Sequence, residues 1–402
     1  MNSFYKLYCR IYQFVFKLAI PLLPWRTPEL LAGEGSLLKL PAFVKEKGVK
    51  KVLIVTDKGL MSLGMLEPLF KGLAEAEVGY ELYDKTVPNP TIDNVEEGFA
   101  LYHSGGCDGI IAFGGGSPMD CAKIIGARAV KPGKSAAKMK GLFKILHKLP
   151  PFFAIPTTAG TGSETTVAAL ITNGKTHEKY SIMDISLIPK YAVLDPLLTV
   201  KLPKHITSTT GMDALTHAVE AFIGRSNTKY TEECAKKATA AIFENLKKVY
   251  DDGSDIEARG KMQTASFSAG IAFTMAYVGY VHSIAHALGG LYGVPHGLAN
   301  AVLLPVVLEK YGSAAHKRLA KLADLVGLSK EGDGAADKAM KFIQAIKDMN
   351  AYMNVPTKIK GLKTEDYEII MKRALHEANP NYPVPAIWGK EEMLAVLKEI
   401  QE

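Results

Sequence analysis

The chain has 402 residues and a net charge of +7 at pH 7, a length that suits two domains of the usual roughly 100–200 residues each. Its 48% hydrophobic and 22% charged residues match globular composition and exclude disorder and collagen-like repeats. Lysines and arginines are interspersed with acids, which excludes the clustered basic face of a nucleic-acid binder. Cys9, Cys107, Cys121 and Cys234 are too scattered for thiolate zinc sites or a disulfide framework, so a reducing, cytoplasmic setting is the default.

Residues 1–26 read as a helical extension. On a helix, Lys6, Arg10, Gln13 and Lys17 fall on one narrow stripe and leave a wide apolar face of Phe4, Leu7, Tyr8, Ile11, Val15, Leu18 and Ala19. Charges inside the run make it a poor membrane span, and Pro21–Trp25 does not resemble a secretory cleavage site. Two placements remain. The preferred one is a helix packed on its own protein or a partner subunit; the other lies on a membrane surface through residues 4–20.

From Val52 the chain alternates short apolar runs with helical patterns. Val52–Thr56, Gly79–Tyr83 and Gly109–Phe113 read as strands, separated by amphipathic stretches near Met61–Ala76 and Ile92–Ser104. Phe152–Ile155 and Ala192–Leu194 add further strands. This alternation predicts an α/β domain with an open parallel sheet over residues 27–203. Lys131–Lys140 reads as an exposed loop. Beyond Pro203 strands disappear and Ala, Leu, Met and Lys recur at helical spacing, which predicts an all-helical domain over 204–402.

The strand ending at Phe113 runs into Gly114-Gly115-Gly116-Ser117-Pro118-Met119-Asp120 and then a helix-forming segment. A glycine-rich turn between strand and helix lets backbone N–H groups approach a pyrophosphate, whose charge the helix N-terminus favours. The competing reading is an ordinary helix start, with Ser117 as cap and Pro118 at the first turn; three successive glycines exceed what a cap needs. Pro156–Glu164, dense in hydroxyls and glycines, follows another short strand. Two such loops at strand C-terminal ends predict a ligand in the crevice there. Asp57, at the end of the first clear strand, suits a ribose and repels the extra phosphate of NADP, although it would also serve as a helix cap.

The second half carries a metal pattern. Asp213 and His217 stand four apart on one helix face, His282 and His286 repeat that spacing, and His296 follows ten residues later. Four of the ten histidines fall in these segments, whose apolar, glycine-rich surroundings suit ligation better than a solvated face. Ser283 stands where a metalloprotease helix would carry its glutamate base, which disfavours peptide hydrolysis. His103, His147, His177, His205, His316 and His376 read as hydrogen-bonded core residues.

Gly114–Asp120, Pro156–Glu164, Gly211–His217, His282–Gly290 and Pro295–Asn300, in this order and spacing, resemble the iron-containing (group III) alcohol dehydrogenases from about Pro28 to the C-terminus. The resemblance implies a Rossmann-like dinucleotide-binding domain followed by a helical metal-binding domain, a dehydroquinate synthase-like architecture, commonly assembled as a homodimer. It implies hydride transfer between NAD(P) and a small alcohol or aldehyde, with metal ligands at Asp213, His217, His282 and His296. His286 falls on the family's additional histidine near the substrate and is the catalytic candidate, as a proton relay or a pocket-lining donor. Implied cofactor contacts are Asp57, Asn89, Gly115, Gly116, Ser117, Asp120, Thr157, Thr158, Thr166 and Lys179. NAD is expected in preference to NADP. The ligand set alone admits Zn²⁺ or Mn²⁺ as well as Fe²⁺; iron rests on the resemblance. Phe273, Thr274, Met275 and Asn379–Pro385 are expected to line the pocket.

Two rivals share the fold. A dehydroquinate synthase-like cyclase would need basic residues near the metal histidines, and residues 270–301 contain neither Lys nor Arg. A glycerol dehydrogenase-like zinc enzyme fits the four-ligand pattern less well. A membrane-peripheral binding protein, from a different class, would not need the ligand and cofactor motifs.

Overall fold

The structure is a computed structural model that describes residues 2–174, 176 and 178–402; His177 lies outside the described residues. It opens with helix α1 (Ser3–Ala19), capped by Asn2, whose side chain accepts the Phe4 N–H at 3.0 Å. The chain then divides into two compact units.

The α/β unit comprises residues 24–201 and 254–263. Its elements are β1 (Glu29–Ala32), α2 (Ser36–Glu46), β2 (Lys51–Val55), α3 (Lys58–Ser62), α4 (Glu67–Glu75), β3 (Gly79–Tyr83), α5 (Ile92–Ser104), β4 (Gly109–Gly114), α6 (Gly116–Val130), β5 (Gly141–Leu142), β6 (Phe152–Pro156), β7 (Ala168–Asn173), β8 (Glu178–Met183) and β9 (Tyr191–Leu194). Six strands form one sheet in the order β1-β9-β6-β4-β2-β3, every pair parallel. Successive side chains of a strand point to opposite faces. Leu53 and Val55 accordingly join Val95, Ile124 and Ile125 in one core cluster, while Val52 and Ile54 join Leu40, Leu69 and Leu73 in another. Both faces are covered, which is why these strands read as unbroken apolar runs. Each fully buried Leu, Ile or Val contributes about 1.5–3 kcal/mol.

The strand order places the chain reversal between β2 and β4: β3 lies on one side of β2 and β4 on the other. Open parallel sheets bind ligands at the carboxyl ends of the strands flanking such a reversal. Asp57 follows β2 and the triple-glycine turn follows β4, so both sit at that position.

Sequence patterning missed two features. Edge strand β1 is largely exposed, and a second sheet, β5-β8-β7, contains the antiparallel pair β7–β8, whose half-buried Thr172, Lys179 and Tyr180 blur the alternation. The expected helix near 61–76 is broken into α3 and α4 around Gly64, at φ +65°. Within the expected 131–140 loop, Ala136 and Met139 are buried in the core.

The helical unit comprises residues 1–23, 202–253 and 264–402. It contains α1, α7 (Lys204–Ile223), α8 (Lys229–Asp251), the C-terminal part of α9 (Ile256–Ala276), α10 (Tyr280–Tyr292), α11 (His296–Tyr311), α12 (Ser313–Leu325), α13 (Ala335–Tyr352), α14 (Tyr367–Ala378) and α15 (Lys390–Ile400). All residues from Gly211 to Ile223 of α7 are buried. A helix covered on every side needs no apolar stripe, so polar Asp213, His217 and Glu220 stand out as residues with work to do inside.

Helix α1 does pack on its own chain, but the reverse way round from the usual amphipathic arrangement. Gln13 is buried and Arg10 half-buried, whereas Phe4 is 77% and Leu22, just past the helix, 85% exposed. The reason is hydrogen bonding. Arg10 and Gln13 satisfy carbonyls of the 380–385 loop, so the middle of the polar stripe faces inward while Lys6 and Lys17 at its ends stay exposed. Among the described residues, no single helix is long and apolar enough to cross a membrane.

The expectation of core histidines is overturned at His103, His147, His205 and His376, which are exposed, and at His316, which is half-buried. They occupy solvent-facing positions, where imidazole needs no internal partner.

Candidate active site

Helix α7 carries Asp213, His217 and Glu220 at positions i, i+4 and i+7, one face of the helix. Helix α10 brings His282 and His286 on successive turns, and His296 is the first residue of α11. The α11 N-terminus approaches the backbone of α7 closely: a Cβ on Gly297 would lie 2.5 Å from the Thr209 carbonyl oxygen. Only glycine allows this approach, and it delivers His296 to the face that holds Asp213.

One donor atom from each of Asp213, His217, His282 and His296 lies within 4.8 Å of the others. Nε2 of His282 and of His296 are 3.8 and 3.5 Å from Oδ1 of Asp213. Three of these residues also converge on one amide nitrogen. Asn300 Nδ2 donates to Asp213 Oδ1 at 2.6 Å and lies 3.2 Å from Nε2 of both His282 and His296. Acceptor lone pairs aimed at one point form the electrostatic environment a cation requires, and one carboxylate with three imidazoles suits a divalent transition metal. The residues present therefore fit a metal.

The ring of His217 stacks between Phe273, at 4.0 Å, and His282, at 4.4 Å. Nδ1 of His282 donates to Oε2 of Glu220 at 2.6 Å, and Glu220 also accepts the backbone N–H groups of Gly279 and Val281 at 2.8 and 2.9 Å. Burial pushes the Glu220 carboxyl up to about 7 against the pull of those N–H donors. Nδ1 of His286 donates to Oε1 of Glu377 at 2.7 Å, and the Tyr382 hydroxyl donates to the same oxygen at 2.7 Å. Burial raises the Glu377 carboxyl, but His286 and Tyr382 outweigh it and hold the group below the usual carboxylate range. With Nδ1 tied to a carboxylate, Nε2 of each imidazole is the atom left for chemistry.

Glu220, Glu377 and Asn300 went unassigned in sequence. Glu220 had a local signal, three residues after His217 on the ligand-bearing face. Glu377 had none, because its approach to His286 spans 91 residues.

In the α/β unit, the two glycine-rich loops meet. The Thr157 N–H donates to the Gly114 carbonyl at 3.1 Å, a Cβ on Gly116 would lie 2.9 Å from Cγ2 of Thr161, and one on Gly115 would lie 3.5 Å from the Thr158 hydroxyl. Ser117 Oγ accepts the Asn89 N–H at 3.3 Å, and Lys179 Nζ donates to Asn89 Oδ1 at 2.8 Å. Asn89, Gly115, Gly116, Ser117, Thr157, Thr158 and Lys179 thus cluster at the carboxyl end of β4, and a glycine-rich strand-to-helix turn of this kind could hold the phosphates of a dinucleotide. Asp57 caps α3, accepting the Leu60 N–H at 3.0 Å. Asp120 and Thr166 are buried beside this cluster. Asp120 accepts from the Ser163 hydroxyl at 2.8 Å and the Leu170 N–H at 3.0 Å, and Lys123 Nζ donates to the Thr166 hydroxyl oxygen at 2.8 Å.

Comparison with known proteins finds matches along both units. Residues 27–196 match the family model described as iron-containing alcohol dehydrogenase, and residues 207–401 match the C-terminal model of the same family. The chain belongs to the iron-containing alcohol dehydrogenases. As a member, it is an oxidoreductase that acts on alcohols. Alcohol dehydrogenase 4 of Saccharomyces cerevisiae is 39% identical over 374 residues, 92% of this chain and 96% of the yeast protein. The NAD-dependent methanol dehydrogenase of Bacillus methanolicus is 37% identical over 352 residues, 87% of this chain and 92% of that one. A crystal structure of 1,3-propanediol oxidoreductase superposes with a TM-score of 0.90 at 36% identity, covering 94% of this chain and 99% of its own. Helix α1 lies outside both family models.

Proposed function

We propose that this dehydrogenase uses Fe²⁺, held by Asp213, His217, His282 and His296, and NAD to interconvert a small primary or secondary alcohol and its aldehyde or ketone. The observation that carries the reading is the convergence of those four donor groups within 4.8 Å in a chain whose two halves both match the family. Zn²⁺ and Mn²⁺ suit the same ligands, and family membership supports iron. When bound, the cation supplies Lewis-acid polarisation of the substrate oxygen, and NAD supplies the hydride chemistry.

The chain's own residues do the remainder. Glu220 fixes the His282 ring so that Nε2 faces Asp213. Glu377 fixes His286 with Nε2 available to take the alcohol proton, or to return it to the alkoxide oxygen in the reverse direction. Phe273, Thr274, Met275 and Asn379–Pro385 line the substrate pocket and exclude water. In the domain of residues 27–203, Asn89, Gly115, Gly116, Ser117, Thr157, Thr158 and Lys179 bind the dinucleotide, while Asp120 and Thr166 brace the loops behind it. The charge of Asp57 favours NAD over NADP. The helical domain is residues 204–402, with residues 1–26 as an added segment.

The assembly is a cytoplasmic homodimer in this reading. Its four unpaired cysteines suit a reducing compartment, and sedimentation of the purified protein tests the dimer. The decisive experiment is anaerobic purification with metal analysis, followed by NADH and NADPH assays on short aldehydes. Asp213→Ala and His282→Ala should lose metal and turnover together. A variant that kept full activity without metal would overturn the assignment.

A further inference from the structure

Helix α1 lies outside both matched family models, and its hydrogen bonds concentrate on one short segment. Arg10 donates to the carbonyls of Val384 at 2.8 Å and Pro385 at 2.9 Å, and to Oε1 of Gln13 at 2.8 Å. Nε2 of Gln13 donates to the carbonyls of Tyr382 at 2.8 Å and Pro380 at 3.2 Å. Tyr12 reaches Asn381 Oδ1 at 3.3 Å. The 380–385 segment belongs to no helix or strand, so its carbonyls depend on such donors.

The same segment supports the substrate-side histidine. Asn381 Nδ2 donates to the Glu377 carbonyl at 2.9 Å, and the Tyr382 hydroxyl donates to the Glu377 carboxylate oxygen that also accepts from His286. A continuous run of hydrogen bonds therefore leads from Arg10 and Gln13 through the 380–385 backbone and Tyr382 to Glu377 and the His286 ring.

We propose that α1 is a built-in clamp on the pocket wall, and that Arg10 and Gln13 are positioning residues that hold Tyr382 and Glu377 where they orient His286. The inference rests on the proposed place of His286 beside the substrate. It explains why Arg10 and Gln13, in the middle of the polar stripe, are turned inward while the apolar face of α1 is left outside. A half-buried guanidinium serving two backbone carbonyls fixes loop geometry as well as contact, since its donors are set in a rigid fork.

The test compares the full-length, metal-loaded protein with the Arg10→Met, Gln13→Leu double variant, which keeps side-chain bulk and removes five hydrogen bonds. Hydrogen exchange of the Asn381, Tyr382 and Val384 amides should accelerate roughly tenfold while that of β2 and β4 stays unchanged, which also certifies that the variant is folded. Bound metal should stay at the wild-type level. KM for a short aldehyde should rise by about tenfold, with a smaller change in kcat, as the pocket wall loosens. If α1 only added stability, the melting temperature would fall while KM and local exchange held their wild-type values, and either value unchanged overturns the proposal. If the wild-type protein shows no metal-dependent turnover, the functional reading fails; the exchange measurement still decides whether α1 holds the loop.

Discussion

Oε2 of Glu220 lies 2.6 Å from Nδ1 of His282, and both side chains are buried. The pair joins two helices, α7 and α10, and sets which imidazole nitrogen faces Asp213. A carboxylate behind a metal-binding histidine fixes its tautomer and raises its basicity. Glu220→Gln should therefore weaken metal retention by about 10–100-fold, read as the rate of metal loss to a chelator. Gln can still accept one backbone N–H, so the fold should survive. Retention equal to the wild type would show that the carboxylate is only a structural tie.

Gly297 controls the approach of α11 to α7. A methyl group there meets the Thr209 carbonyl oxygen at 2.5 Å, which is backbone and cannot swing aside. Gly297→Ala should cost about 1–3 kcal/mol, the usual range for overpacking, and shift His296 away from Asp213. The expected result is a lower melting temperature in chelator together with reduced bound metal. An unshifted melting curve with full metal content would remove the close approach from the account.

Asp57 caps α3, and the proposed function gives it a second role against the 2′-phosphate of NADP; one substitution separates the two. Asn caps helices as well as Asp, so Asp57→Asn should leave α3 intact while removing the charge that repels a 2′-phosphate. The ratio of kcat/KM for NADPH to that for NADH should rise about fivefold or more, corresponding to roughly 1 kcal/mol for one exposed like-charge contact. If the ratio does not move, cofactor preference lies elsewhere in the loops.

Glu164, buried in the second loop, has its carboxyl pushed up to about 7 by burial. Its ordinary value is 4.5, so between those limits the folded state binds more protons than the unfolded state and stability falls as pH rises. Glu164→Gln removes that slope. The melting temperature of the variant relative to the wild type should climb from pH 5 to 7 and level off above, by at most about 3 kcal/mol in stability. A difference independent of pH would mean that the carboxyl ionises as freely in the folded protein as in the unfolded one.

Much of this molecule is written locally. The alternation of apolar strand and helix predicts the parallel sheet, because β2 and β4 are short and apolar and run into a helix cap at Asp57 and a glycine turn at residues 114–116. The four-residue spacings of Asp213 with His217 and of His282 with His286 follow from helix periodicity alone, and the triple glycine marks a backbone that must be approached closely. What local spacing cannot carry is distance between separate elements. The convergence of α7, α10 and α11 on Asn300, the support of His286 by Glu377 91 residues away, and the inward turn of Arg10 and Gln13 all depend on packing. In the last case patterning alone points the other way. An apolar helix face ordinarily seeks the core, but here the carbonyls of the 380–385 loop take Arg10 and Gln13 as their donors, and only the folded chain brings those carbonyls beneath them.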